Sequence, residues 1–262
     1  MTDQPNPADS RGDFVFTRAQ WATAGLGGLI GAALSLIVVF AAALLGVFPR
    51  LSDTRIHDYL MAHPSMAIEM VNKAQLDQAM EEDRERQSAV YKIGLKRFMS
   101  PAVAYVTGPT NAKNTFVEFF DYNCPHCRNT LPVVQKFYNA HKNDTQFAFI
   151  DYPIFGDAST SAAQVAIASR RQGDRYLALH FLLMGEADKT NTDMLFADAK
   201  KAGIDIAKLS GDLQDPNVLR TVAAAQKLGQ DSLISGTPAF IVNGKAHEGE
   251  ISEAELKAML KK

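Results

Sequence analysis

The chain has 262 residues, 47% of them apolar and 21% charged, with a formal net charge of −2. That is ordinary globular composition, which excludes disorder of the whole and suits one large domain or a domain with an appendage. The near-neutral balance carries no electrostatic footprint for nucleic acid, so no nucleic-acid partner is expected.

Residues 1–18 read as an N-terminal tail, and Asp3, Asp9 and Asp13 with Pro5 and Pro7 make its first part a disordered segment. Between Arg18 and Arg50 there is not one charged side chain. An apolar run of this length spans a bilayer, since about 20 residues suffice for a transmembrane helix, so residues 19–49 are expected to form an uncleaved single-pass anchor. A cleaved signal peptide is the alternative, with Ala41, Ala42 and Ala43 as small residues, although the run exceeds the ~7–15 residues of a signal core. A buried core helix is the third reading. Arg11 and Arg18 before the span and Arg50 and Arg55 after it leave the positive-inside rule nearly undecided.

Residues 50–99 are almost free of Gly and rich in helix formers, and are expected to be a helical stalk. Pro64 divides it into a short helix near Ser52–Ala62 and a longer one starting near Ser65. Met66, Met70, Met80, Val90 and Ile93 give the longer helix a thin apolar stripe, too narrow to build a core alone. Two readings stand: a solvated stalk, or an oligomerisation helix that buries the stripe against copies of itself through residues 52–97.

From Ser100 the pattern turns to short β-type runs bounded by Gly, Pro and Asn. Strands are expected at 102–106, 115–122 and 145–154, with a helix from the CxxC to about Lys142 carrying Leu131, Val134, Phe137 and Tyr138 on one face. An Ala-rich block with helical periodicity follows at 159–171, 174–186, 192–202, 205–213 and 216–230. Strands return at 238–244 and 245–249, and Ser252 with Glu255 predicts a capping box on a final helix.

Both cysteines lie in Cys124-Pro125-His126-Cys127. A strand running into this stretch and a helix leaving it place Cys124 at a helix N-terminus, where unpaired N–H groups and the helix dipole favour the thiolate. Pro125 costs little at N1, and His126 adds a dipole or, protonated, a charge. Stabilising the thiolate stabilises the reduced form and makes the disulfide a better oxidant. Three residues on, Cys127 reaches back to close a Cys124–Cys127 disulfide or to attack a mixed disulfide formed at Cys124. The other readings of a CxxC are half of a metal site and a structural staple. A zinc site needs four ligands, and there is no second CxxC or HxxxH; a staple across three residues restricts the unfolded chain little. No cofactor or resident metal is expected, and His57, His63, His141, His180 and His247 show no ligand spacing.

At these residues the sequence resembles the DsbA-like branch of the thioredoxin superfamily, over about Ala102–Lys262. The resemblance implies an α/β fold, a thioredoxin fold with an inserted helical domain at about 157–233 inside a domain spanning 100–262, preceded here by the transmembrane helix and stalk. It implies that Glu118, six positions before Cys124, is a buried acid that relays protons to the resolving thiol; an edge-strand carboxylate facing water is the plain alternative. It makes Thr237-Pro238, in "SGTPAF", a cis peptide that packs against the disulfide and pairs with extended substrate, where composition alone offers an ordinary turn. "IHDYLMAHPSMAIEMV" is similar to the pre-catalytic segment of suppressor-of-copper-sensitivity C proteins, whose helical extensions drive oligomerisation and favour isomerisation.

The function expected is an envelope thiol–disulfide oxidoreductase, oxidase or isomerase, on the periplasmic side of a bacterial inner membrane. Its expected partners are folding proteins with cysteines, a membrane redox partner and copies of itself. The alternatives are a dithiol protein handling Cu(I), a soft ion suited to thiolates, and a purely structural anchored protein.

Overall fold

The protein is described here by a computed structural model covering residues 33–43, 47–186 and 191–261. It divides into two compact units, 1–75 and 76–262.

In the first unit, residues 33–43 are helical (α1) and leave Leu36 and Phe40 exposed. Helix α2 (Val47–Ala62) ends where Pro64 opens α3 (Pro64–Ile93). Proline lacks the N–H that would continue α2 but is at ease in the first turn of the next helix. The break is closed locally by the His63 imidazole, whose Nδ1 lies 2.9 Å from the Tyr59 carbonyl and whose ring stacks on the Tyr59 ring. No helix among the described residues is long and apolar enough to cross a membrane. The tail expected at 1–18, and residues 19–32 and 44–46 of the expected span, lie outside the described residues.

The second unit is built on a five-stranded sheet, order β1-β3-β2-β4-β5. Strand β1 (Tyr105–Thr107) runs antiparallel to β3 (Thr145–Asp151), β3 parallel to β2 (Asn114–Phe120), and β2 antiparallel to β4 (Ala239–Val242), which pairs with β5 (Lys245–Glu248). The parallel β2–β3 pair requires a crossover, supplied by α5 (Pro125–His141). Between β3 and β4 the chain makes the helical insertion: α6 (Asp157–Ser169), a 3₁₀ turn, α7 (Arg175–Gly185), α8 (Thr192–Lys201), α9 (Ile206–Asp212) and α10 (Pro216–Asp231). Side-chain oxygens of Asn191, Asp205 and Asp215 accept the first free N–H groups of α8, α9 and α10, which fixes where these helices start. Helix α11 (Glu253–Met259) opens on the Ser252–Glu255 capping box and packs on α5.

Strand alternation sorts the core into two layers. Phe116 and Phe120 point to the side where Cys127, Val134 and Phe137 of α5 lie, together with the helical insertion. Val117 and Phe119 point to the other side, onto Val90 of α3, Phe98 of α4 (Leu95–Phe98), and Ala225 and Leu228 of α10.

That second layer moves the boundary expected at residue 100. Val90 and Phe98 are 1% and 0% exposed, each burial contributing roughly 1.5–3 kcal/mol, so residues 76–99 belong to the sheet-bearing unit. The end of the apolar stripe read from sequence faces the chain's own sheet. The strand expected at 102–106 begins later, at Tyr105, because residues 101–104 form turns held by Val103 and Ala104 N–H groups on the Ser100 carbonyl.

Candidate active site

Strand β2 ends at Phe120, and the chain turns through Asp121-Tyr122-Asn123 into α5. Asp121 builds that turn. Its carbonyl accepts from Cys124 N–H at 3.1 Å, one carboxylate oxygen accepts from Asn123 N–H at 2.8 Å, and the other from Ile154 and Phe155 N–H at 2.7 and 3.0 Å. The loop after β3 is thereby tied to the turn before the cysteines. Cys124 is the N-cap of α5 in extended conformation, Pro125 sits in the first turn, and Cys124 uses no side-chain cap. Its sulfur is left to the unpaired N–H groups of the first turn.

Both cysteines are free thiols and both are buried, so the pair is in its dithiol form. The two thiols are alike in exposure (0% and 1%) and differ in electrostatics. A hydrogen bond with the Cys127 thiol, then Thr237 and the backbone N–H groups of Cys127 and His126, outweigh burial and hold Cys124 at about 5, well below the thiol value of 9.0. Burial, and then the same bond seen from its donor, pushes Cys127 far above the ordinary thiol range. One proton shared by two sulfurs therefore resides on Cys127.

Glu118 lies on the same face of β2 as Phe116 and Phe120, which is the face α5 covers. Its neighbours in register are Phe149 on β3 and Phe240 on β4. At 3% exposure, with Oε2 lacking any hydrogen-bond partner, its carboxyl is pushed up to about 8 by burial. Its negative charge, when present, further raises Cys127, so the two groups sense each other's protons.

Across from α5, the Thr237-Pro238 bond is cis. The Thr237 carbonyl lies 3.1 Å from Cys124 Sγ and accepts its proton in the thiol form. Gly249 N–H donates to the Pro238 carbonyl at 2.8 Å, anchoring the loop to the end of the β4–β5 hairpin. The structure thus brings Cys124, Pro125, His126, Cys127, Thr237 and Pro238 together, with Glu118 beneath α5.

A family model described as thioredoxin matches residues 102–262, more than half of the chain. The chain belongs to the thioredoxin family. It is 34% identical to a thioredoxin-like oxidoreductase from Silicibacter pomeroyi DSS-3, superposing with a TM-score of 0.57 over 62% of this chain and 92% of that one. The catalytic domain of Proteus mirabilis ScsC has the same fold, with a TM-score of 0.58 and 22% identity over 66% of this chain and 95% of that one. Among curated proteins, a Na(+)/H(+) antiporter NhaA 3 from Salinispora tropica is 27% identical over 162 residues, 61% of this chain but 24% of that protein. The chain therefore spans about a quarter of the length of such relatives.

Around this thioredoxin-family site the structure adds residues the sequence did not single out. Glu250 Oε1 lies 2.7 Å from His126 Nδ1 and accepts from Asn129 Nδ2 at 3.0 Å, and the bond to Glu250 holds the His126 imidazole above its ordinary value. Glu248 binds the loop before Thr237. Ile154 and Phe155 stay 40% and 52% exposed next to the Asp121 turn. A local signal existed for Glu248 and Glu250, two acids flanking the hairpin-closing Gly249. Among the described residues no group of three or more His, Cys, Asp or Glu is placed to hold a metal ion. His180 is core: buried, its Nδ1 3.2 Å from the Tyr122 hydroxyl, and held at about 3 by burial and by Arg170.

Proposed function

We propose that the chain is an envelope thiol–disulfide oxidoreductase acting on cysteine-bearing folding proteins, as oxidase or isomerase. The observation that carries this reading is the geometry of the dithiol: Cys124 at the N-terminus of α5 with its sulfur 3.1 Å from the carbonyl before a cis proline, and a buried Cys127 one helical turn on.

Towards a substrate disulfide, the Cys124 thiolate attacks one sulfur; a Cys124–substrate bond forms, the substrate S–S bond breaks, and one substrate thiolate leaves. Cys127, giving its proton to the Glu118 carboxylate, then attacks Cys124 Sγ. The Cys124–Cys127 bond forms, the second substrate thiolate leaves, and the substrate has gained the two electrons that the dithiol lost. Run backwards, the same steps oxidise a substrate dithiol. Isomerisation needs only the first step and its reversal. Thr237 aligns the extended substrate by backbone pairing, and the exposed Ile154 and Phe155 favour chains that expose apolar side chains.

The placement belongs to the same proposal: a single-pass anchor at 19–49 in a bacterial inner membrane, the catalytic domain in the periplasm, and a membrane redox partner that sets the state of the dithiol. The uncharged run between Arg18 and Arg50 and the exposed apolar side chains of α1 support the anchor. Homo-oligomerisation is proposed through the N-terminal part of the 52–97 segment, where Ile56, Tyr59, Met61, Ile68 and Met70 are exposed. Arg86, Gln87 and Val90 are used within the chain's own catalytic unit.

The test is insulin reduction and refolding of a scrambled disulfide protein by the full chain and by Cys124→Ala. Turnover that disappears in the variant is expected. Tight Cu(I) binding without turnover would replace this reading with the copper-handling one, and unchanged cellular function of Cys124→Ala would point to a structural protein.

A further inference from the structure

The second half of α3 forms a wall beside the loop that carries Thr237. Glu248 of β5 accepts Ser235 N–H, Ser235 Oγ–H and Gly236 N–H on one carboxylate oxygen, at 2.7, 2.9 and 2.6 Å. Its other oxygen pairs with Arg86 Nη2 of α3 at 2.6 Å, and both side chains are mostly buried. Arg86 Nε also donates to the Leu233 carbonyl at 3.1 Å. Next to it, Gln87 donates to the Gly244 carbonyl and accepts from Ala246 N–H, at 2.6 and 2.9 Å. This seam holds α3 against the hairpin and the loop without closing the space between them. A cleft of about 430 Å³ remains, with Ala79, Glu82 and Arg86 on one side and Thr237 and Gly249 on the other.

The cleft is lined by Thr237 itself, the residue proposed to pair with substrate, and its size falls within the roughly 300–1,000 Å³ of ligand sites. Its charge is also defined. Arg86 is shared between Glu248 at 2.6 Å and Asp83 at 3.2 Å, and Glu82 at the rim accepts from the uncharged Gln78 amide at 2.8 Å, so carboxylates outnumber cations on this side of the cleft.

We infer that the cleft between α3 and the Thr237 loop is the subsite for substrate residues flanking the reacting cysteine, and that Glu82 gives it a preference for a basic side chain there. The inference rests on the proposed exchange activity and names the part of the polypeptide that the site reads. Arg86 and Glu248 are positioning residues: they hold loop and wall apart at a fixed width and touch no reacting atom.

The experiment compares two cysteine peptides that differ only by Lys or Glu next to the cysteine, with dithiothreitol as a substrate too small to need the cleft. The full chain should favour the Lys peptide by about threefold in KM at low salt, the scale of an exposed ion pair. Glu82→Gln should abolish that preference. Ala79→Trp, an exposed position facing the cleft, should raise KM for both peptides by about fivefold or more with kcat within about twofold, and leave dithiothreitol oxidation unchanged. A KM unaltered in Ala79→Trp, or a Lys preference that survives Glu82→Gln, overturns the subsite. Absence of exchange by the unaltered protein with every substrate would overturn the exchange activity itself, which keeps the two failures apart.

Discussion

Replacing Cys127 by Ala or by Ser tests the electrostatic asymmetry on which the chemistry turns. The largest stabiliser of the Cys124 thiolate is the hydrogen bond with Cys127, ahead of Thr237 and of the backbone N–H groups of Cys127 and His126. A hydrogen bond to a charged acceptor contributes about 1.5–3 kcal/mol, and about 1.4 kcal/mol corresponds to one pKa unit. Cys127→Ala should therefore raise Cys124 from about 5 by about one to two units. It stays below an ordinary thiol because the backbone donors and the helix N-terminus remain. Cys127→Ser keeps an O–H donor and should titrate close to the parent. Ultraviolet thiolate absorbance against pH reads this directly, in single-cysteine proteins that form no internal disulfide. For the wild type the depressed value contributes stability to the folded dithiol form that is fully present above the unfolded thiol value near 9. It shrinks as pH falls through neutral and vanishes as pH drops through about 5. Because it stabilises the dithiol and not the disulfide, it makes the disulfide more oxidising than a pair of ordinary thiols. Superimposable Ala and Ser titrations, or a Cys124 that titrates near 9 in the Ser variant, would refute the assignment of the proton to Cys127.

Glu118→Gln should separate stability from turnover. Burial raises the carboxyl to about 8, so the folded state resists ionisation that the unfolded chain undergoes near 4.5, and stability is lost as pH rises between those values. At neutral pH the loss is up to about 3 kcal/mol, which the Gln variant should regain in urea unfolding. Resolution of a Cys124 mixed disulfide, followed by stopped flow, should slow by about a hundredfold; an unchanged rate would remove Glu118 from the proton path. Asp121→Ala leaves the N–H groups of Asn123, Ile154 and Phe155 without their acceptor. The donors are only partly buried and water can replace the acceptor, so a combined loss of about 1–3 kcal/mol is expected in urea unfolding, and an unchanged midpoint would show that the Asp121 tie does not hold the turn.

The site was legible wherever its logic is local. A buried strand, a helix starting on Pro125 and two thiols three residues apart are neighbours in sequence as in space, and the helices of the insertion show in their Ala-rich periodicity. What stayed hidden are partners distant along the chain. His126 meets Glu250 across 124 positions, and Arg86 meets Leu233 across 147; no periodicity or spacing encodes such a pair. The apolar stripe of α3 shows the same limit. Its moment is weak because the helix serves different neighbours along its length, with Met70 exposed and Val90 fully buried on the sheet. Read as one stripe it implies one partner, and so a stalk ending at residue 99. Once Val90 and Phe98 are seen to complete the core behind β2, α3 from Leu76 onward becomes part of the sheet-bearing unit. The helix that was expected to hold copies of the chain together thus also carries Arg86 to the loop that faces Cys124.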